Sequence, residues 1–134
     1  MEKYAYLVAM IVAVFATIST SAVFAETNIG TAEDDKITSG DENDFNDGLQ
    51  GDDTIKSGDG SDFTAGFTGD DKLSGQDGID VVTGEAGDDK VSGGQGDDIL
   101  VGGSGEDKFK CGSGDDVVID FNEADGDKIT GNCE

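Results

Sequence analysis

The sequence predicts an all-β fold for most of this 134-residue chain, a parallel solenoid with two sheets. A nine-residue pattern runs without insertion or deletion from Gly30 to Ile119. Each repeat contains one short apolar piece, which is long enough only for a minimal strand. The residues beside that piece alternate between polar and apolar from one repeat to the next, so the true period is eighteen. One coil of such a solenoid would place a strand in each of two sheets.

The composition indicates that hydrophobic burial alone does not hold this fold. All 22 Gly lie after residue 25, and many of the hydrophobic residues, 34% of the chain, lie before it. The remainder has too little apolar surface to offset the conformational entropy that ordering costs. Another source of stabilisation is therefore expected.

The charge restricts the possible partners and chemistries. Against 31 Asp and Glu there are 8 Lys and Arg, which gives a formal net charge of -23. Such a surface repels phosphate backbones and anionic lipids, so we expect no nucleic acid and no anionic membrane as partners, and cations are the natural ligands. The chain has no His and therefore no imidazole base and no Ser-His or Cys-His pair. We expect that it is not an enzyme.

Residues 1–25 are predicted to be a secretory signal peptide. Lys3 precedes an apolar run from Tyr4 to Ile18, and Val23 and Ala25 flank the predicted cleavage site. An uncleaved membrane anchor is the alternative, because the apolar stretch is nearly long enough to span a bilayer. Cleavage predicts a secreted, extracellular protein with a short lead-in at residues 26–29.

Export also accounts for the two cysteines. An oxidising compartment lets Cys111 and Cys133 form a disulfide, which would close a C-terminal loop and contribute ~3 kcal/mol. Two free thiols are the alternative. We expect the disulfide.

The repeats at residues 30–119 share three features, with positions numbered one to nine from Gly30. Position four is Gly in the last eight repeats, and position eight is apolar except at Asn46 and Thr64. The Gly-rich part is predicted to be a turn, because Gly adopts positive φ and lets neighbouring backbone approach. Position six is Asp in all ten repeats: Asp35, Asp44, Asp53, Asp62, Asp71, Asp80, Asp89, Asp98, Asp107 and Asp116.

The even repeats carry an apolar residue beside position eight, whereas the odd repeats carry Lys or Thr there. The even residues form an apolar stripe at Phe45, Phe63, Val81, Ile99 and Val117. If they face outward, the stripe is an exposed patch for a partner or for self-association. If the register shifts locally, some of them fill the core instead.

The repeats resemble the repeats-in-toxin (RTX), or hemolysin-type, calcium-binding nonapeptide, G-G-x-G-x-D-x-U-x. Gly93–Val101 and Gly102–Lys110 match every fixed position of that pattern. The resemblance implies a calcium-stabilised parallel β-roll of about ten repeats, with Ca²⁺ as the cofactor. Residues 120–134 resemble the segment that closes such arrays, and Phe121 and Ile129 are the expected cover of the open end.

The resemblance also implies where the ions lie, which is between turns of adjacent coils. Six pairs of position-six Asp are expected to share an ion: 53 with 71, 62 with 80, 71 with 89, 80 with 98, 89 with 107 and 98 with 116. Two more pairs, 35 with 53 and 44 with 62, are in doubt because Glu33 and Glu42 replace the position-four Gly. About six to eight ions are expected, and Gly-rich turns with carboxylates suit the oxygen chemistry of calcium.

Two functions are compatible with this sequence. The first is a secreted calcium-binding module whose folding is coupled to extracellular calcium, because stacked carboxylates repel one another until cations neutralise them. The second is an extracellular surface-assembly or adhesion protein that uses the apolar stripe.

Overall fold

The computed structural model describes residues 24–134. The predicted signal peptide lies outside this range except for Phe24 and Ala25. No helix within residues 24–134 is long and apolar enough to cross a membrane.

Twelve short strands form two six-stranded parallel sheets. Their bounds are β1 Glu26–Ile29, β2 Lys36–Thr38, β3 Asp44–Asp47, β4 Thr54–Asp59, β5 Phe63–Thr68, β6 Lys72–Asp77, β7 Val81–Ala86, β8 Lys90–Gln95, β9 Ile99–Ser104, β10 Lys108–Ser113, β11 Val117–Val118 and β12 Lys128–Thr130. One sheet, formed mainly by the even repeats, has the order β1-β3-β5-β7-β9-β11, and the other, formed mainly by the odd repeats, has the order β12-β10-β8-β6-β4-β2. We call them the even-repeat sheet and the odd-repeat sheet. Successive strands therefore alternate between the sheets, as a two-sided solenoid requires.

The strand register confirms the eighteen-residue period. Leu73 lies opposite Val91, and Val82 lies opposite Leu100. Ten repeats with two repeats in each coil predict five coils, but each sheet has six strands. The additional strands are β1, which the lead-in residues form, and β12, which lies beyond the last counted repeat.

The core lies between the sheets and consists mainly of position-eight side chains. Its buried members are Ile55, Leu73, Val82, Val91, Leu100, Phe109 and Cys111. The polar exceptions Asn46 and Thr64 are also fully buried. Asn46 Oδ1 accepts a hydrogen bond from the Ser39 hydroxyl at 2.5 Å, and Thr64 pairs with Ser57. Each polar exception thus pairs with the Ser that replaces Gly at position one of the same repeat, while Asn46 Nδ2 has no hydrogen-bond partner.

The apolar stripe forms a second cluster, separate from the core. Phe63 and Val81 are buried, and Phe45 and Ile99 pack against them. The Phe45 and Phe63 rings stack with centroids 5.3 Å apart. The register continues through this region without a shift. The expected exposed patch is therefore largely covered, and of the stripe residues only Val117 is exposed.

The C-terminal segment covers the last coil on both sheets. β12 pairs with β10, and the amide of Glu134 donates to the carbonyl of Asp116 at 2.8 Å beside β11. A disulfide joins Cys111 to Cys133. Ile129 lies opposite the buried Phe109 in this pairing, and the Phe121 and Ile129 side chains each keep an exposed face. That these two residues cover the open end stays a prediction. Backbone pairing and the disulfide close the coil because this segment continues the ladder of strands.

Candidate metal sites in the stacked turns

The turns stack closely because position four is a left-handed Gly. In the last eight repeats its φ lies between +115° and +138°. A Cβ atom at Gly87 would overlap the carbonyl oxygen of Gly69 in the preceding coil. Glu33 and Glu42, which replace this Gly, do not adopt positive φ. The first two turns therefore differ in backbone conformation from the other eight.

Position two of the last eight repeats is left-handed as well, which sequence reasoning missed. Leu49, Phe67, Gln76 and Glu85 have φ between +75° and +85°. A non-Gly residue in this region costs about 1–2 kcal/mol. The second Gly of the nonapeptide pattern could have indicated the left-handed conformation at position two.

The position-six carboxylates form two columns, one at each edge of the roll. All are buried except Asp35, which is partly exposed. In the first eight repeats, the backbone amide of the position-six Asp donates to Oδ1 of the Asp eighteen residues later. The structure brings together the six expected pairs and the two doubtful ones in this way, with N–O distances of 2.7 to 3.0 Å: 35 with 53, 44 with 62, 53 with 71, 62 with 80, 71 with 89, 80 with 98, 89 with 107, and 98 with 116.

In nine of the ten position-six Asp, the second carboxylate oxygen is buried without a hydrogen-bond partner. Oδ2 faces the position-one residue of the same repeat, and a Cβ atom at Gly84 would overlap Oδ2 of Asp89. In the seven repeats with Gly at position one, its φ is not left-handed, so space and not backbone conformation favours Gly there. The other three repeats carry Ser39, Ser57 and Cys111 at this position. The unpartnered Oδ2 atoms belong to Asp44, Asp53, Asp62, Asp71, Asp80, Asp89, Asp98, Asp107 and Asp116.

Burial raises the pKa of these carboxyl groups. It raises the pKa of Asp80 and Asp89 to about 7, and nearby carboxylates of the same column add to the effect. Hydrogen bonds from the backbone amides oppose the shift. The same causes raise the pKa of Asp62, Asp71, Asp98 and Asp107 to about 6. The charged form is thus unfavourable in these turns unless a cation compensates it.

The two ends of the columns differ from the middle. Oδ2 of Asp35 accepts hydrogen bonds from the Thr31 amide and hydroxyl at 2.6 and 2.9 Å. At the other end, Asp127 takes the place of a further position-six Asp, because its Oδ1 accepts the Asp107 amide at 2.9 Å. Sequence reasoning missed Asp127, since two extra residues separate it from the register of the repeats. The Gly126-Asp127-Lys128-Ile129 segment could have indicated this role of Asp127.

The position-five Asp side chains are exposed. Oδ1 of Asp70 accepts the amide of Asp88, and Oδ1 of Asp88 accepts the amide of Glu106, at 3.0 and 2.8 Å. These side chains form a hydrogen-bonded column along the outer edge. They extend into solvent and away from the unpartnered Oδ2 atoms.

The donor set fits a hard divalent cation with mixed ligands. Within residues 24–134, no three Asp, Glu or Cys side chains gather in an arrangement that could hold a metal ion. Carbonyl oxygens must therefore complete any site. In this region no backbone amide donates to the turn carbonyls of Gly69, Gly78, Gly87 or Gly96. Anionic and carbonyl oxygens together are the ligands that calcium accepts in flexible geometry.

The comparison with known protein families agrees with this chemistry. A family model described as the RTX calcium-binding nonapeptide repeat matches in four copies, at residues 29–64, 38–73, 65–100 and 92–119. No curated protein and no solved structure matches the chain.

Proposed function

We propose, because this chain belongs to the RTX calcium-binding nonapeptide repeat family, that it is a secreted module whose folding is coupled to extracellular calcium. Calcium is the ligand that the family's repeats bind. The N-terminal apolar segment supports secretion. The role is structural binding, and no catalytic activity is proposed.

The buried, unpartnered Oδ2 atoms carry this proposal. Leaving a buried acceptor without a partner costs about 1–3 kcal/mol, and more when the group is charged. Nine such atoms recur at the same place in nine repeats. Carboxylates stacked ~4.8 Å apart also repel by about 1 kcal/mol in water and several times that at lower effective dielectric. Cations between the turns would relieve both costs, so binding and folding would be one event.

The same atoms suggest which turns share an ion. In seven of the eight candidate pairs, both carboxylates have an unpartnered Oδ2, and the exception is the pair of Asp35 with Asp53. We infer seven ions between position-six pairs, within the expected six to eight. We expect magnesium to substitute poorly, because it demands near-ideal octahedral geometry and dehydrates reluctantly.

The test is a calcium titration of the chain, followed by far-UV circular dichroism. The β signal should appear cooperatively, and magnesium should produce much less of it. Asp89→Asn should raise the calcium concentration at the folding midpoint several-fold, because it removes a buried charged ligand. Asp88→Asn is the matched control, since Asp88 is the exposed neighbour. A fully formed β spectrum in excess chelator, or equal shifts for the two variants, would contradict the proposal.

Self-association through the apolar stripe has less support as an alternative. Phe63 and Val81 are buried, which leaves little of the stripe free to contact a partner. Sedimentation at both ends of the calcium titration tests it, because assembly through the stripe would give a calcium-dependent increase in mass.

A further inference from the structure

All seven lysines of residues 24–134 lie on one surface, the outward face of the odd-repeat sheet. Each of their side chains is exposed. Along each strand the lysines are neighbours of a core residue such as Leu73 or Val91. Because successive side chains of a strand point to opposite faces, the lysines point away from the core. The seven are Lys36, Lys56, Lys72, Lys90, Lys108, Lys110 and Lys128.

The parallel register arranges these lysines in two rows that run across the strands. The first row places Lys72, Lys90, Lys108 and Lys128 next to one another on consecutive strands, ~4.8 Å apart. The second row lies two residues further along each strand. It contains Lys56 and Lys110, with Ser74 and Ser92 between them.

These rows are unfavourable for the isolated chain. In the part of the chain that the structure describes, the one ion pair joins Lys128 to Glu106, so six lysines have no acidic partner despite a net charge of -23. Like charges directly opposite one another on a sheet destabilise it. An anion bound along the rows would remove that repulsion.

A groove of about 410 Å³ lies between the rows. Lys72, Lys90 and Lys108 form one wall, and Lys56, Ser74, Ser92 and Lys110 form the other. The walls lie two residues apart on each strand, or roughly 7 Å, and the row of four lysines spans roughly 14 Å. These dimensions suit a single extended polymer chain.

We propose that this lysine face binds an acidic polysaccharide with one carboxylate on each sugar. The cationic rows supply the charge complementarity, and the Ser hydroxyls supply hydrogen-bond partners for sugar hydroxyls. Binding would follow the long axis of the roll, so successive carboxylates meet successive lysines. The site is distinct from the stacked turns, which bind cations.

The observations favour a polysaccharide over nucleic acid. Single-stranded nucleic acids are usually held by aromatic side chains on which bases stack, and Phe109, the aromatic residue beside this groove, belongs to the core. A duplex or an anionic membrane would extend beyond the narrow face. It would then meet exposed acids at the edge of the roll, such as Asp70 and Asp88.

The test measures binding of fluorescent, size-defined oligogalacturonate to the full chain in calcium, at several salt concentrations. Circular dichroism first establishes that the roll is folded, so failure of calcium-coupled folding is recorded separately. The fully methyl-esterified oligomer is the uncharged control ligand. The triple variant Lys72→Gln, Lys90→Gln, Lys108→Gln should bind about tenfold more weakly and with a shallower salt dependence.

A second triple variant controls for net charge. Gln50→Glu, Thr68→Glu, Ser104→Glu also lowers the charge by three, at exposed positions away from the lysine face, and should change affinity by less than twofold. Equal losses in both variants, or equal binding of the esterified oligomer, would overturn the proposal. Tighter binding of oligothymidylate would assign the face to nucleic acid instead. Self-association that the lysine variant abolishes would assign it to a second copy of the chain.

Discussion

Each position-six Asp has two oxygens in different environments. In Asp89, Oδ1 accepts the amide of Asp71 at 2.8 Å and so ties one coil to the next. Oδ2 is buried without a partner. The side chain therefore acts as a structural acceptor and a candidate ligand at once. A substitution at this position therefore affects both the contact between coils and the candidate metal site.

The raised pKa values predict that acid promotes folding of the calcium-free chain. The folded pKa of Asp80 and Asp89 is about 7, above the usual value of 3.8, so proton uptake stabilises the folded state. This stabilisation is complete below about pH 4 and is lost as the pH rises through about 6 to 7. In calcium-free buffer the β signal should therefore increase from pH 8 to pH 5.

The Asp89→Asn variant checks this reasoning, because it has no proton to gain at that position. Its calcium-free β signal at pH 8 should exceed that of the unmodified chain, whereas its response to calcium should be weaker. A calcium-free chain whose β signal is the same at pH 5 and pH 8 would show that these carboxyl groups do not oppose folding.

At the scale of the turn and strand, close approach of the backbone limits what each repeat accepts. The position-four Gly requires positive φ, and it also lies against the carbonyl of the preceding coil. Either constraint alone excludes most side chains. Ser39 and Ser57 show a different limit at position one, where a small polar residue is accepted because a buried polar group in the same repeat pairs with it.

Gly96→Ala should destabilise the roll by about 2 kcal/mol or more. Its φ is +116°, and the added Cβ would overlap the carbonyl oxygen of Gly78. Gly40→Ala is the matched control, because its φ is ordinary and no atom lies within 4 Å of the Cβ. Calcium titrations followed by circular dichroism should show a higher midpoint for Gly96→Ala alone. Equal midpoints would mean that the turns stack less tightly than described.

For the whole molecule, stability depends on neighbouring coils and on how the array ends. Each coil contacts mainly the coils before and after it, so an uncovered end has an unpaired sheet edge. β12 and the terminal residues 133–134 pair with the last full coil. The disulfide between Cys111 and Cys133, 22 residues apart, holds this segment in place.

Removal of the disulfide should raise the calcium concentration needed for folding. A loop of this length contributes ~3 kcal/mol, mainly by restricting the unfolded chain. The double variant Cys111→Ala, Cys133→Ala is preferable to replacement by Ser. A Ser hydroxyl at the buried position 111 would have no partner, because position eight of that repeat is the apolar Val118. Calcium titration with and without a reducing agent measures the shift. Reductant should not affect the double variant, and an unchanged midpoint in the variant would show that the bond is only a tether.

The repeat array could be predicted from the sequence alone because its information is local. Gly and Asp at fixed positions determine the turn, one apolar residue determines the inward face, and identical coils stack only on their neighbours. The fold class, the eighteen-residue register and the pairing of position-six Asp follow from that. The tertiary structure decided the remaining features, since each depends on contacts between coils. Asp127 joins a column across a two-residue insertion, the Ser39 hydroxyl donates to Asn46 Oδ1, and the lysines lie in rows apart from the acids. No single repeat contains that information, because it arises only when one coil lies against another.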